Sequence, residues 1–175
     1  MDHLQDSVAG VVLAGGLSTR MGRDKALMRV HGQDKPDLLA RTHDLLAALL
    51  PRCWVSCRAD TPRNGYECLF DAKPDQGPAA GILAALQAAR EQGFAAVLAL
   101  SCDMPLMDAA TLRRLLAARA AAPAGTLATL FVDAASGRPE ALAAVYETAS
   151  LPLFETWLAQ PGGRLRRDPR GREGS

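Results

Sequence analysis

The 175-residue sequence predicts a three-layer α/β domain with a largely parallel central sheet. Continuous apolar runs at 9–14 and 94–100 have the pattern of strands covered on both faces. Stretches with apolar residues at helical spacing separate such runs, and alternation of this kind builds a mainly parallel sheet between helices. A hydrophobic content of 49% is ample for one core at this length.

Residues 1–7 are polar and form a lead-in to the first strand at 9–14. That strand ends in Gly15 and Gly16, inside the string VVLAGGLSTRMGRDKAL. Successive N–H groups of a glycine turn can converge on one anion. Ser18 and Thr19 add hydroxyl donors, and Arg20 and Lys25 add two cations, which together suit a polyphosphate. The string is neither a Walker loop, since Ala26 follows Lys25, nor the dinucleotide pattern G-x-G-x-x-G. An ordinary glycine turn with surface cations is the alternative. Apolar residues return at 26–30, His31 and Gly32 make a turn, and 36–50 reads as a helix with Pro36 in its first turn and Pro51 as its stop. Its leucines are core, and His43 is a half-buried helical histidine.

Strands follow at 53–57 and 67–70 around a turn at 61–65. The loop 71–81 leads into a helix at 79–90, where Gly81 allows close packing on the sheet. The strand 94–100 ends in SCDMP. A carboxylate at the C-terminal mouth of a parallel strand, beside a triphosphate loop, can share magnesium with phosphate oxygens, and Asp103 fits that role; an aspartate that merely turns the chain before Pro105 is the alternative. Asp108 reads as the N-cap of a helix at 109–121. A strand at 126–132, a turn at 133–137, a strand in GRPEALAAVY and a helix at 148–160 complete the domain.

The formal net charge is +1. Within 164–175, five arginines stand against Asp168 and Glu173, a net +3, so residues 1–163 carry −2. A near-neutral body with a short basic tail gives no case for nucleic acid. Cys53 and Cys57, on one strand face, would lie about 13 Å apart, too far for a disulfide or shared metal. They read as buried free thiols, and Cys68 and Cys102 as isolated ones. With no leader and no membrane-length apolar run, a cytoplasmic protein is expected. Residues 1–163 are expected to form the domain and 164–175 a disordered tail.

The string L-A-G-G-x-S-x-R-M-G-x-D-K, from Leu13 to Lys25, resembles the signature of the molybdenum cofactor guanylyltransferase family, within the nucleotidyltransferase superfamily. The resemblance covers most of the chain and implies a Rossmann-like nucleotidyltransferase domain. It implies that Leu13, Ala14, Gly15, Gly16, Ser18 and Lys25 bind nucleotide, that Asp71, Gly77, Pro78 and Gly81 lie on the nucleotide side, and that Arg20, Lys25 and Asp103 are catalytic, with Mg2+ on Asp103. Asp71 reads alternatively as a turn or capping aspartate. Arg138, Pro139 and Glu140 are similar to the family's acceptor side, although Ala141 replaces a usual proline; an exposed edge-strand proline with flanking charges reads equally well. The implied substrates are GTP and molybdopterin, with transient contact to other molybdenum cofactor proteins. A CTP-dependent or sugar-phosphate transferase, and a nucleotide-binding module without turnover, are the alternatives. Family members usually continue into another strand and an Asn-Thr-Pro-Glu segment, which GGRLRRDPRGREGS does not resemble.

Overall fold

The structure is a computed structural model and describes residues 7–14, 25–29, 32, 34–71 and 76–160, with the backbone alone for Lys25. The described elements are β1 (Val8–Leu13), a 3-10 turn (Lys25–Leu27), α1 (Leu38–Ala47), β2 (Cys53–Cys57), β3 (Cys68–Phe70), α2 (Pro78–Glu91), β4 (Ala96–Ser101), α3 (Ala109–Ala120), β5 (Ala128–Val132), β6 (Pro139–Glu147), a 3-10 turn (Thr148–Ser150) and α4 (Leu151–Ala159). The expected tail at 164–175 lies outside the described residues.

The six strands run in the order β3-β2-β1-β4-β6-β5. β1 pairs in parallel with β2 and β4, and β2 in parallel with β3, while β6 lies antiparallel to both β4 and β5. The sheet is therefore largely parallel, with one reversed strand.

Strand alternation sends side chains to two cores. Val8, Val12, Val55, Leu98 and Leu100 join Leu39 and Leu46 of α1 and Leu112 and Leu115 of α3. Val11, Trp54, Val97 and Ala99 join Ile82 and Leu86 of α2 and Leu151 of α4 on the other face. Each fully buried leucine or isoleucine contributes roughly 1.5–3 kcal/mol from leaving water. These two layers hold the strand ends in fixed relation.

Three expectations change. The helix expected at 36–50 begins at Leu38, because the Asp37 carboxylate accepts the Ala40 N–H at 2.8 Å; Pro36 thus precedes the cap. Pro139 is not on an edge strand. β6 is an inner strand, and proline is tolerated as its first residue, opposite Val132. Cys68 is not isolated: its thiol donates to the Arg63 carbonyl at 3.4 Å, and the neighbouring Cys57 thiol is pushed up to about 11, mainly by burial. All four cysteines are free, with Cys53 and Cys68 only partly buried.

Candidate active site

β1 and β4 stay paired to their C-terminal ends, but the chain leaves β1 toward β2 and leaves β4 toward β6 and β5, so the two connections part in opposite directions along the sheet. Such a switch point opens a crevice in which α/β sheets hold ligands. Leu13 pairs with Ser101 there, and the Ala14 N–H donates to the Ser56 carbonyl at 3.0 Å. Both Leu13 and Ala14 are buried. Gly15, Gly16, Ser18 and Arg20, with the side chain of Lys25, lie outside the described residues. Ala26, the first residue after them with a described side chain, is buried in the same core cluster as Ala14.

Across the crevice, β4 ends at Ser101 and delivers Asp103, which is exposed and whose N–H meets Ser101 Oγ at 3.3 Å. The following loop is tied where it enters α3. An Arg41 guanidinium N–H of α1 donates to the Met107 carbonyl at 2.7 Å, and the Asp108 carboxylate accepts the Thr111 N–H at 2.7 Å. The Thr111 hydrogen bonds hold the Asp108 carboxyl below its ordinary range, as expected of an N-cap. Among the described residues no group of three or more His, Cys, Asp or Glu could cage a metal. A single exposed aspartate just past the end of a parallel strand does fit magnesium, which keeps several waters and commonly takes one or two carboxylates plus substrate phosphates.

The third wall is the end of β2 with the start of α2. Ser56, 2% exposed, donates its hydroxyl to Asp71 Oδ1 at 2.8 Å. Burial raises the Asp71 carboxyl above its ordinary value, with the Ser56 bond and the nearby Arg58 charge pulling the other way. Gly77 is the N-cap of α2 at φ +65°, a conformation L side chains rarely adopt, and Pro78 follows at the first turn. A Cβ on Gly81 would lie 2.2 Å from Ser56 Oγ, so only glycine lets the helix close over this serine. Gln76 Nε2 donates to the Leu158 carbonyl at 2.7 Å, tying this loop to α4. Asp71 and Gly81 are thus brought together through Ser56, while Gly77 and Pro78 open the helix that carries Gly81.

Arg138, Pro139 and Glu140 open β6, whose antiparallel pairing sets Ala143 against Leu100. Continuing that register past its last pair runs Glu140 level with Asp103, so this segment reaches the same rim on the side of β4 away from β1. Glu140 Oε1 accepts the Leu142 N–H at 3.3 Å. A cavity of about 350 Å³ lies at the opposite end of the sheet, lined by Ala95, Arg119 and Glu147 among others. It has no part in this site. Ser56, Arg41 and Gln76 carry no sequence signal of their roles, which exist only through contacts 15, 66 and 82 residues away.

A mainly parallel sheet with a glycine-rich, cationic string leaving its switch point and a carboxylate opposite defines an α/β domain of the nucleotidyltransferase class. Residues 10–170 match the MobA-like NTP transferase domain, and the chain belongs to that family. It is 34% identical to a molybdenum cofactor biosynthesis bifunctional protein of Synechocystis sp., over 87% of this chain and 43% of that protein. It is 39% identical to a molybdenum cofactor guanylyltransferase of Xanthomonas euvesicatoria pv. vesicatoria, over 65% and 56%. Identity to the guanylyltransferase of Rhodobacter capsulatus is 32% over 91% and 79%. The chain spans about half the length of the first two relatives. Molybdopterin-guanine dinucleotide biosynthesis protein A of Archaeoglobus fulgidus superposes with a TM-score of 0.65 at 24% identity, over 85% of this chain and 71% of that one. A Thermus thermophilus cytidylyltransferase gives 0.54 at 17%, over 85% and 75%. At these identities the structural likeness speaks for the fold alone.

Proposed function

We propose that this domain is a magnesium-dependent guanylyltransferase that moves GMP from GTP onto the terminal phosphate of molybdenum-bearing molybdopterin and releases pyrophosphate. What supports the reading is that Leu13, Ser56 and Asp103 stand at or just past the C-terminal ends of the neighbouring parallel strands β1, β2 and β4, with Asp71 and Gly81 in contact with Ser56. Relatives named molybdenum cofactor guanylyltransferase support the choice of guanine and of acceptor.

In this reading an acceptor phosphate oxygen forms a bond to the α-phosphorus as the bridging oxygen toward the β-phosphorus departs with pyrophosphate. The protein's work is alignment and charge neutralisation. Gly15, Gly16 and Ser18 offer donors to the triphosphate, and Arg20 and Lys25 neutralise the leaving pyrophosphate. Asp103 holds Mg2+, which when bound supplies positive charge to the phosphate oxygens. Asp71 receives the base: a carboxylate presents two acceptor oxygens to the N1–H and 2-amino donors of guanine. Arg138, Pro139 and Glu140 face the acceptor. No general base is required, because a phosphomonoester with a second pKa near 6 is already largely anionic at neutral pH.

The catalytic unit is residues 1–163, acting in the cytoplasm with transient access to other molybdenum cofactor proteins. No helix among the described residues is long and apolar enough to cross a membrane. Pyrophosphate release measured with each nucleoside triphosphate, with and without molybdopterin, tests the reading. Release with GTP that depends on the acceptor is expected. A preference for CTP would overturn the guanylyl assignment, and GTP binding without release would make the chain a binding module.

A further inference from the structure

Asp71 has to offer its carboxylate to a base edge in one orientation, yet it stands in the loop that follows the three-residue edge strand β3. The edge itself provides little to fix a side chain. What reaches Asp71 from the sheet interior is the Ser56 hydroxyl, at 2.8 Å. Ser56 is held from every side. Its backbone pairs with Leu13 on one flank and Leu69 on the other, its carbonyl accepts the Ala14 N–H, and its side chain sits under Gly81. A serine hydroxyl can otherwise rotate freely among acceptors. Here the close passage of α2 over Gly81 confines it, since even one added carbon would stand 2.2 Å from the Oγ.

We infer that Ser56 is a positioning residue for base selection, its confined hydroxyl orienting the Asp71 carboxylate toward the guanine edge. The inference deepens the guanylyltransferase reading and rests on it. The bond uses one of the carboxylate's acceptor sites and leaves others for a ligand. It also places the same serine in contact with Ala14, at the start of the triphosphate string, so that the base end and the phosphate end of the nucleotide are registered to one another through a single buried residue. Gly81 is then needed for more than close helix packing: it keeps the space in which that hydroxyl stands.

The test compares GTP with ITP, which lacks the 2-amino group, in magnesium-containing buffer by isothermal titration of the full chain. Both ligands are measured on one preparation, so a variant that is merely less stable or partly unfolded lowers both affinities together and leaves their ratio unchanged. Ser56→Ala is expected to reduce the GTP-to-ITP affinity ratio about tenfold, the scale of one lost hydrogen bond to a charged group. Asp71→Asn should reduce the ratio as well, and the double variant should add nothing further. Gly81→Ala leaves Ser56 and Asp71 in place but crowds the hydroxyl, and it should lower the ratio in the same direction. A parental ratio in both Ser56→Ala and Gly81→Ala, with a reduced one in Asp71→Asn, would overturn the positioning role while leaving the guanine reading intact. A parental ratio in Asp71→Asn would sink that reading and the role of Ser56 with it.

Discussion

Asp71 keeps a carboxylate in a half-buried position, and desolvation outweighs the help it receives from Ser56 and Arg58. Its folded-state pKa therefore exceeds the unfolded value, so between the two the folded chain binds the extra proton. Stability from this group falls as pH rises through that window and stays lower above it. Asp71→Asn keeps an acceptor for Ser56 and removes the charge. Its melting temperature should exceed the parent's by on the order of 2 °C at pH 7, with the gain vanishing below the ordinary carboxylate pKa of about 3.9. Calorimetry at the two pH values checks this, and a loss of stability at pH 7 would mean that the charge is better satisfied than burial implies. Asp103 differs in kind. It is exposed, so Asp103→Ala should leave the melting temperature within about 1 °C while slowing pyrophosphate release on the order of 10²–10³-fold. The place of Asp103, exposed just past the end of β4, was legible in the sequence because SCDMP follows a buried run. Ser56 was not, since a serine inside CWVSC carries no mark of the aspartate 15 residues on that it meets.

Elements were legible where period and length agree. The runs at 9–14, 53–57 and 94–100 became β1, β2 and β4, and Asp108 caps α3 as the sequence led one to expect. One boundary moved for a local reason. Pro36 is a strong start signal, but Asp37 beside it has a carboxylate that can reach the Ala40 N–H, and that bond sets the first turn. The direction of β6 has no local signature at all: PEALAAVYE reads the same whether its neighbour runs with it or against it. The short connection from β5 favours a hairpin, and the register of β6 on β4 then carries Glu140 to the rim. Because the Asp37 cap fixes the start of α1, it also fixes where Arg41 meets the Met107 carbonyl and so steadies the loop that bears Asp103. Asp37→Ala should lower stability by about 1 kcal/mol, a fall of roughly 2–4 °C in melting temperature, measurable by calorimetry. A fall in turnover beyond the change in folded fraction is expected with it.

At the scale of the whole molecule, no single element owns the proposed site. β1, β2, β4, α2 and β6 each deliver one part of it to the same rim, and the two cores on either face of the sheet keep those parts in register. A ligand that spans them crosslinks elements far apart in the chain, so its binding should stabilise the entire cooperative unit rather than one loop. Anything that binds the folded state alone adds RT ln(1 + [L]/Kd), about 2.7 kcal/mol at a hundredfold excess over Kd. For a chain of this size that is a rise of roughly 5–10 °C in melting temperature. GTP with magnesium should produce it, CTP at the same concentration should produce less, and chelation of magnesium should remove most of the difference from the ligand-free protein. In Asp103→Ala the magnesium-dependent part should disappear while a smaller GTP-only shift persists, because the base side and the triphosphate string are untouched. Equal shifts with GTP and CTP would show that the rim holds a triphosphate without reading its base. A shift in Asp103→Ala as large as the parent's would move the metal away from that residue.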